Sequence, residues 1–298
     1  MHYLDPKYDL TFKRVFGEHK HLCISLINSM IPFEEGCEVV SIEYETGELI
    51  PERKSARNSI VDVRCTDSFD RKFIVEMQIQ WTESFMQRVL FNAAKVYVKD
   101  LNEAEEYEKL NRVYSLNFLK TNFQKSPEMA KEYYHHYKIV NIAHTDHQIR
   151  GLEFVFVELQ KFKPENRAEQ KLHDQWLRFL TEINEHTEKA PQELLAQPEI
   201  QEAVHYMEIG AFSKAELAAY DREKDEVMSA RTLISDAKRE GEEIGLAKGE
   251  EIGLAKGKEI GLAKGEEIGL AKGLAKGEEE RQKLELRIAE LEKQLTKL

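Results

Sequence analysis

Cysteine is scarce, with only Cys23, Cys37 and Cys65 in 298 residues. The three have neither the paired spacing of a zinc site nor the density of a disulfide framework. A stapled secreted scaffold is therefore excluded, and a reducing, cytoplasmic setting is expected. Long apolar runs are missing as well. No stretch approaches the roughly 18–20 residues of a membrane span, and "MHYLDPKYD" lacks the basic start and apolar core of a leader. The expectation is a chain with no membrane partner. Positive charge is in deficit, at −12 net, which argues against a general polyanion binder. That deficit is uneven. From Pro51 to Asp100 the runs "ERKSAR" and "DRK" tip the balance slightly basic, so whole-chain charge does not exclude nucleic acid.

What the chain does have is length enough for one or two domains with a real core, plus a charged extra segment. "DLTFKRVFG" sets Phe12, Val15 and Phe16 on one side and stops at glycine, which predicts a short helix with Asp9 as its N-cap. "KHLCISLINSMIP" repeats the pattern up to Pro32. "CEVVSIEYETGELI" reads as a strand. Two further strands, "SIVDVRC" and "KFIVEMQIQ", follow across the turn "TDSFD". Residues 83–101 form an amphipathic helix with Val89, Ala93 and Val96 inward, and "NRVYSLNFL" is another strand. "YYHHYKIVNIA" and "GLEFVFVEL" look like a final pair. The order helix, three strands, helix, strand predicts an α/β unit with extra strands.

Each central strand carries a carboxylate in its apolar middle, Asp62 and Glu76. Unpaired, each would cost several kcal/mol, roughly, in a packed sheet. Alternation sets Glu76 and Gln78 on one face, and a hairpin across the turn lets Asp62 and Glu76 converge. Two carboxylates that close repel unless a cation lies between them. Magnesium suits: it takes oxygen ligands, needs one or two protein carboxylates, and acts on phosphates. Arg88, Asn92, Lys95 and Lys99 share a side of the following helix. By contrast His135, His136, His144 and His147, with Asp146 among them, have no coherent ligand spacing, and no metal is expected there. Glu158 and Lys161 read most simply as a strand end and its solvated neighbour.

An aspartate in one strand and "E-x-Q" in the next, inside that order of elements, resembles the PD-(D/E)XK nuclease fold. "DLTFKRVFG", "SIVDV…FIVEMQ" and "FVFVELQKF" resemble one branch, the recombination-promoting nuclease and transposase-like (Rpn) family, over about residues 5–165. The resemblance implies Asp62 and Glu76 as ligands of magnesium, or manganese in its place, with Asp9 as a further acid. It puts Gln78 where the superfamily has lysine, a departure that removes a positive charge from the transition state. Arg88 or Lys95 is then the candidate to restore it. The implied activity is a metal-dependent DNA endonuclease linked to recombination, mobile elements or phage defence. The alternative is an inactive nuclease-fold interaction protein. No three-carboxylate triad of the RNase H-like transposases is present to support strand transfer.

Beyond a nuclease domain at 1–165, a helical region is expected at 166–238 and a tail at 239–298. The tail repeats "GEEIGLAK" and "GKEIGLAK" from Gly241, then carries Leu284, Ile288, Leu291, Leu295 and Leu298 at heptad spacing. Two glycines per eight residues weaken a helix by about 2 kcal/mol per unit relative to alanine. An eight-residue period also winds its apolar stripe around the axis. The tail is therefore expected to be a weak helix or a partly ordered spacer, and the device that makes a homo-oligomer.

Overall fold

The computed structural model describes residues 3–45, 48–49, 59–60, 62–79, 84–99, 107, 110–123, 126–164 and 171–295. "ERKSAR", Gln80 and Leu298 lie outside them. Contacts divide the chain into two compact units, Met1–Ser229 and Ala230–Leu298.

In the first unit, α1 (Asp9–Phe16) and α2 (Lys20–Met30) come first. Phe12, Val15 and Phe16 are fully buried, as their spacing requires. Gly17 ends α1 because a side chain there would meet the Lys13 carbonyl oxygen at 2.7 Å. Strand β1 (Ile42–Tyr44) pairs antiparallel with β4 (Val63–Asp67), and β4 with β5 (Lys72–Gln78). Helix α3 (Phe85–Lys99) then crosses over to β6 (Val113–Leu119), parallel to β5. This is a βαβ unit. The antiparallel pair β7 (Tyr134–Asn141) and β8 (His144–Glu158) completes a six-stranded sheet, ordered β1-β4-β5-β6-β8-β7.

Both faces of the sheet are covered. Phe73, Val75 and Val157 pack with α1, α2, α4 (Leu172–Glu182) and α5 (Pro198–Tyr206) in the main core, around Trp176 and Phe179. The opposite face meets α3 through Ile74, Ala93 and Val113, and through Val89, Leu119 and Phe156. Each large apolar side chain buried in these layers contributes ~1.5–3 kcal/mol against the chain's conformational entropy.

Two strand expectations are corrected. "CEVVSIEYETGELI" is not one strand: β1 belongs to the large sheet, whereas β2 (Glu48–Leu49) pairs separately with β3 (Ser59–Ile60). "SIVDVRC" is likewise split, and Asp62 sits at a bend just ahead of β4. There its carboxylate accepts the Met77 N–H at 2.6 Å, where the next ladder carbonyl would be due.

The last helix, α6 (Lys214–Leu295), runs unbroken through every repeat. Its residues beyond Ser229 form the second unit. Ile244 and Leu246, like their counterparts in later repeats, are about half exposed or more. A side chain added at any glycine from Gly241 to Gly277 would meet open space. Among the described residues no helix is long and apolar enough to cross a membrane.

Candidate metal centre

The pairing of Val63 with Val75 sets Asp62 beside Glu76 at one end of the sheet. Asp9, at the start of α1, reaches the same place and is hydrogen-bonded to the Asp62 carboxyl. Burial pushes that carboxyl up to about 8; the Met77 N–H opposes the shift, and the Glu76 and Asp9 carboxylates add to it. Glu76, 7% exposed, is also raised by burial, against the pull of Arg88 and a hydrogen bond from Asn92. The Asn92 Nδ2 donates to Glu76 Oε1 at 3.2 Å. Arg88 donates to the amide oxygen of Gln78. Thus the face read from alternation exists, and α3 covers it with an amide and a guanidinium.

Asp9 is not the N-cap of α1; Tyr8 is, without a side-chain cap. Glu223 of α6 performs that task, accepting the Asp9 and Leu10 N–H groups at 2.5 and 3.3 Å. This leaves the Asp9 carboxylate to meet Asp62 and the Lys13 ammonium, 2.7 Å away. Lys95 Nζ lies over the Phe91 ring at 5.2 Å. A cation that the sequence reading passed over is Lys120. Its N–H donates to the Gln78 carbonyl at 2.9 Å. Its ammonium lies 3.5 Å from Asp5 Oδ2 and 5.5 Å from the centre of the Tyr8 ring, one residue before Asp9. Position right after strand β6 was the available clue.

The remaining named residues lie elsewhere. His135 bonds Glu158 at 2.8 Å, His136 bonds Glu153 at 3.0 Å, and His147 is 3.6 Å from Asp146. Glu158 does end β8, but Lys161 is not solvated: its side chain is 6% exposed. Glu158 is fully buried, and it accepts from Lys161 at 2.7 Å and from the Phe123 N–H at 2.8 Å. The pair fastens the segment after β6 to the end of β8.

The donors at the sheet end suit a hard divalent ion. All are carboxyl oxygens; burial holds Asp62 and Glu76 above the ordinary carboxylate range, the Glu76 and Asp9 charges add to the shift at Asp62, and a cation beside them would relieve it. Among the described residues no group of three or more histidine, cysteine, aspartate or glutamate side chains is placed to hold a metal ion. Magnesium does not need one, because it keeps waters and substrate oxygens in its shell.

A parallel βαβ unit flanked by an antiparallel pair in a mixed sheet is consistent with a nuclease-like fold. Residues 6–237 match the family model described as PD-(D/E)XK nuclease family transposase, and the chain belongs to that family. The curated proteins and the solved structures gave no match.

Proposed function

We propose that this protein is a divalent-metal-dependent DNA endonuclease, with magnesium, or manganese in its place, held by Asp62 and Glu76 and with Asp9 as the third acid. The observation that carries the reading is the crowding of a buried and a half-buried carboxyl, each raised above its ordinary range, at the end of β5. A bound ion would supply charge to a phosphate and acidify a water. The chain's own groups do the rest. Asn92 fixes the rotamer of Glu76, and the Met77 N–H fixes Asp62. Arg88 holds Gln78 in place and brings the positive charge that glutamine lacks. Lys95 and Lys120 are the further cations in reach of a bound strand. The free thiols of Cys23 and Cys65, both buried, fit a cytoplasmic setting.

Nicking of supercoiled plasmid by the purified chain tests the reading. Asp62→Ala and Glu76→Ala should each lower the magnesium-dependent rate by about 100-fold or more, with unchanged circular dichroism. Calcium should support DNA binding but little cleavage. A second reading, a nuclease fold that only binds partners, draws on Gln78 standing in the lysine position. Absence of nicking in magnesium and in manganese would favour it over the first.

A further inference from the structure

The opposite end of the same sheet holds a recess of about 410 Å³ with chemistry of its own. It opens where β5 and β6 begin, beside Arg71 and Arg112, five residues along the strand from Glu76 and so ~17 Å from that carboxylate. Four cations line it, Arg71, Arg112, Lys138 and Arg150, against two carboxylates, Glu34 and Glu153. In a chain of net charge −12 this is a local reversal of sign.

The cations divide by how firmly they are held. Arg71, 9% exposed, is structural: it bonds Asp67 Oδ2 at 2.7 Å through Nε and the Cys37 carbonyl at 2.7 Å through a terminal nitrogen. Lys138 lies 3.4 Å from Glu153, and Arg150 3.6 Å from Glu34. Arg150 and Glu34 are both exposed, so an anion with better geometry displaces that pair readily; Lys138 is partly exposed and shares the largely buried Glu153 with His136, which leaves its ammonium able to turn to a ligand. Arg112 is hydrogen-bonded to Tyr114 and placed between the fields of Glu153 and Glu34.

The recess also presents a ring. Phe69 is 59% exposed, unusual for a phenylalanine, and the turn between β4 and β5 holds it there. Asp67 Oδ1 accepts the N–H groups of Phe69 and Arg71 at 3.0 and 2.9 Å, and Asp70 takes a left-handed φ of 57°. The Arg71 guanidinium lies 5.2 Å from the centre of that ring. An exposed ring backed by a fixed guanidinium is a stacking platform for a flat heterocycle.

We propose that this recess binds a nucleoside monophosphate, the base stacked on Phe69 and the phosphate taken by Arg112, Lys138 and Arg150. Its volume lies within the ordinary range for small-ligand sites. The site is separate from the carboxylate pair and stands whether or not the chain cleaves DNA.

Calorimetric titration of the full chain in EDTA, which keeps the carboxylate site out of play, tests it. Adenosine, guanosine, cytidine and thymidine monophosphates are the probes, with adenosine and inorganic phosphate as controls. At least one nucleotide should bind saturably, and about tenfold or more tighter than either control. Phe69→Ala, on an exposed turn, should erase the preference for nucleotide over phosphate. Arg112→Met should weaken nucleotide binding about tenfold; Lys138→Met serves if that variant does not fold. Asp62→Ala should change nothing. Absence of saturable binding by all four nucleotides overturns the proposal. So does phosphate binding as tightly as nucleotide, loss of binding in Asp62→Ala, or affinity that climbs steeply with oligonucleotide length, the mark of a strand-binding groove instead.

Discussion

At the scale of single residues, the site is defined by a substitution and what surrounds it. Gln78 accepts a hydrogen bond from Arg88, whose charge also acts on Glu76. A lysine at Gln78 would therefore face a guanidinium already there. Gln78→Lys alone should leave cleavage equal or slower, because two cations would compete for one place. Combined with Arg88→Ala, which alone should cost about 10-fold to 100-fold, it should recover much of the rate. A large gain from Gln78→Lys by itself in plasmid nicking would show that no cation fills the lysine's role. Strand alternation was enough to bring Asp62, Glu76 and Gln78 together on paper, since period two is strict. It placed Asp62 inside a strand, where the structure has a bend. Asn92 was on the right helix face but carries no charge to attract notice. Glu223 lies 214 positions from Asp9, and no local pattern links them.

At the scale of elements, most helices and strands follow their periodicities, because their apolar faces are what the core buries. Joins between elements were harder to read. Where "CEVVSIEYETGELI" divides depends on which partner each half meets, and that is a tertiary choice. The packing of the start of α6, up to Ser229, within the first unit is another such join. Glu185, on the segment after α4, accepts from Lys224 Nζ at 2.7 Å and from Tyr220 Oη at 2.8 Å. Burial by itself raises this carboxyl, but those two hydrogen bonds, with His186 nearby, hold it below its ordinary 4.5. A depressed acid stabilises the fold above its unfolded value and loses that contribution as pH falls through the folded one. Glu185→Gln should therefore lower the thermal midpoint near pH 7 by about 2–4 °C, for about 1 kcal/mol. The gap between variant and parent should close below about pH 4. A gap that stays constant down to pH 3 in calorimetry would mean that the charge of Glu185 contributes nothing.

At the scale of the whole molecule, the tail is the part whose composition and structure pull against each other. A glycine every fourth residue from Gly241 to Gly277 disfavours a helix, yet α6 is helical through all of them. Within one chain the glycines have no steric reason, since each faces open space. The isoleucines and leucines beside them are exposed as well. An isolated helix of this kind is marginal in water, so we propose that the tail buries its apolar residues against copies of itself. A chain ending at Ala237 keeps Tyr220, Glu223 and Lys224, and with them the clasp on Glu185 and the cap on α1. It should stay folded, with the thermal midpoint of the first unit unchanged, and should lose the higher oligomer. An oligomer presents two active sites to a duplex at once, whereas a single site must cut the two strands in turn. Double-strand cutting by the shortened chain should therefore fall most at low protein concentration, while nicking persists. Light scattering on both chains across a dilution series decides the matter. The same number of copies per particle with and without the tail would show that it does not assemble the protein. Equal double-strand rates at every dilution would separate assembly from cutting.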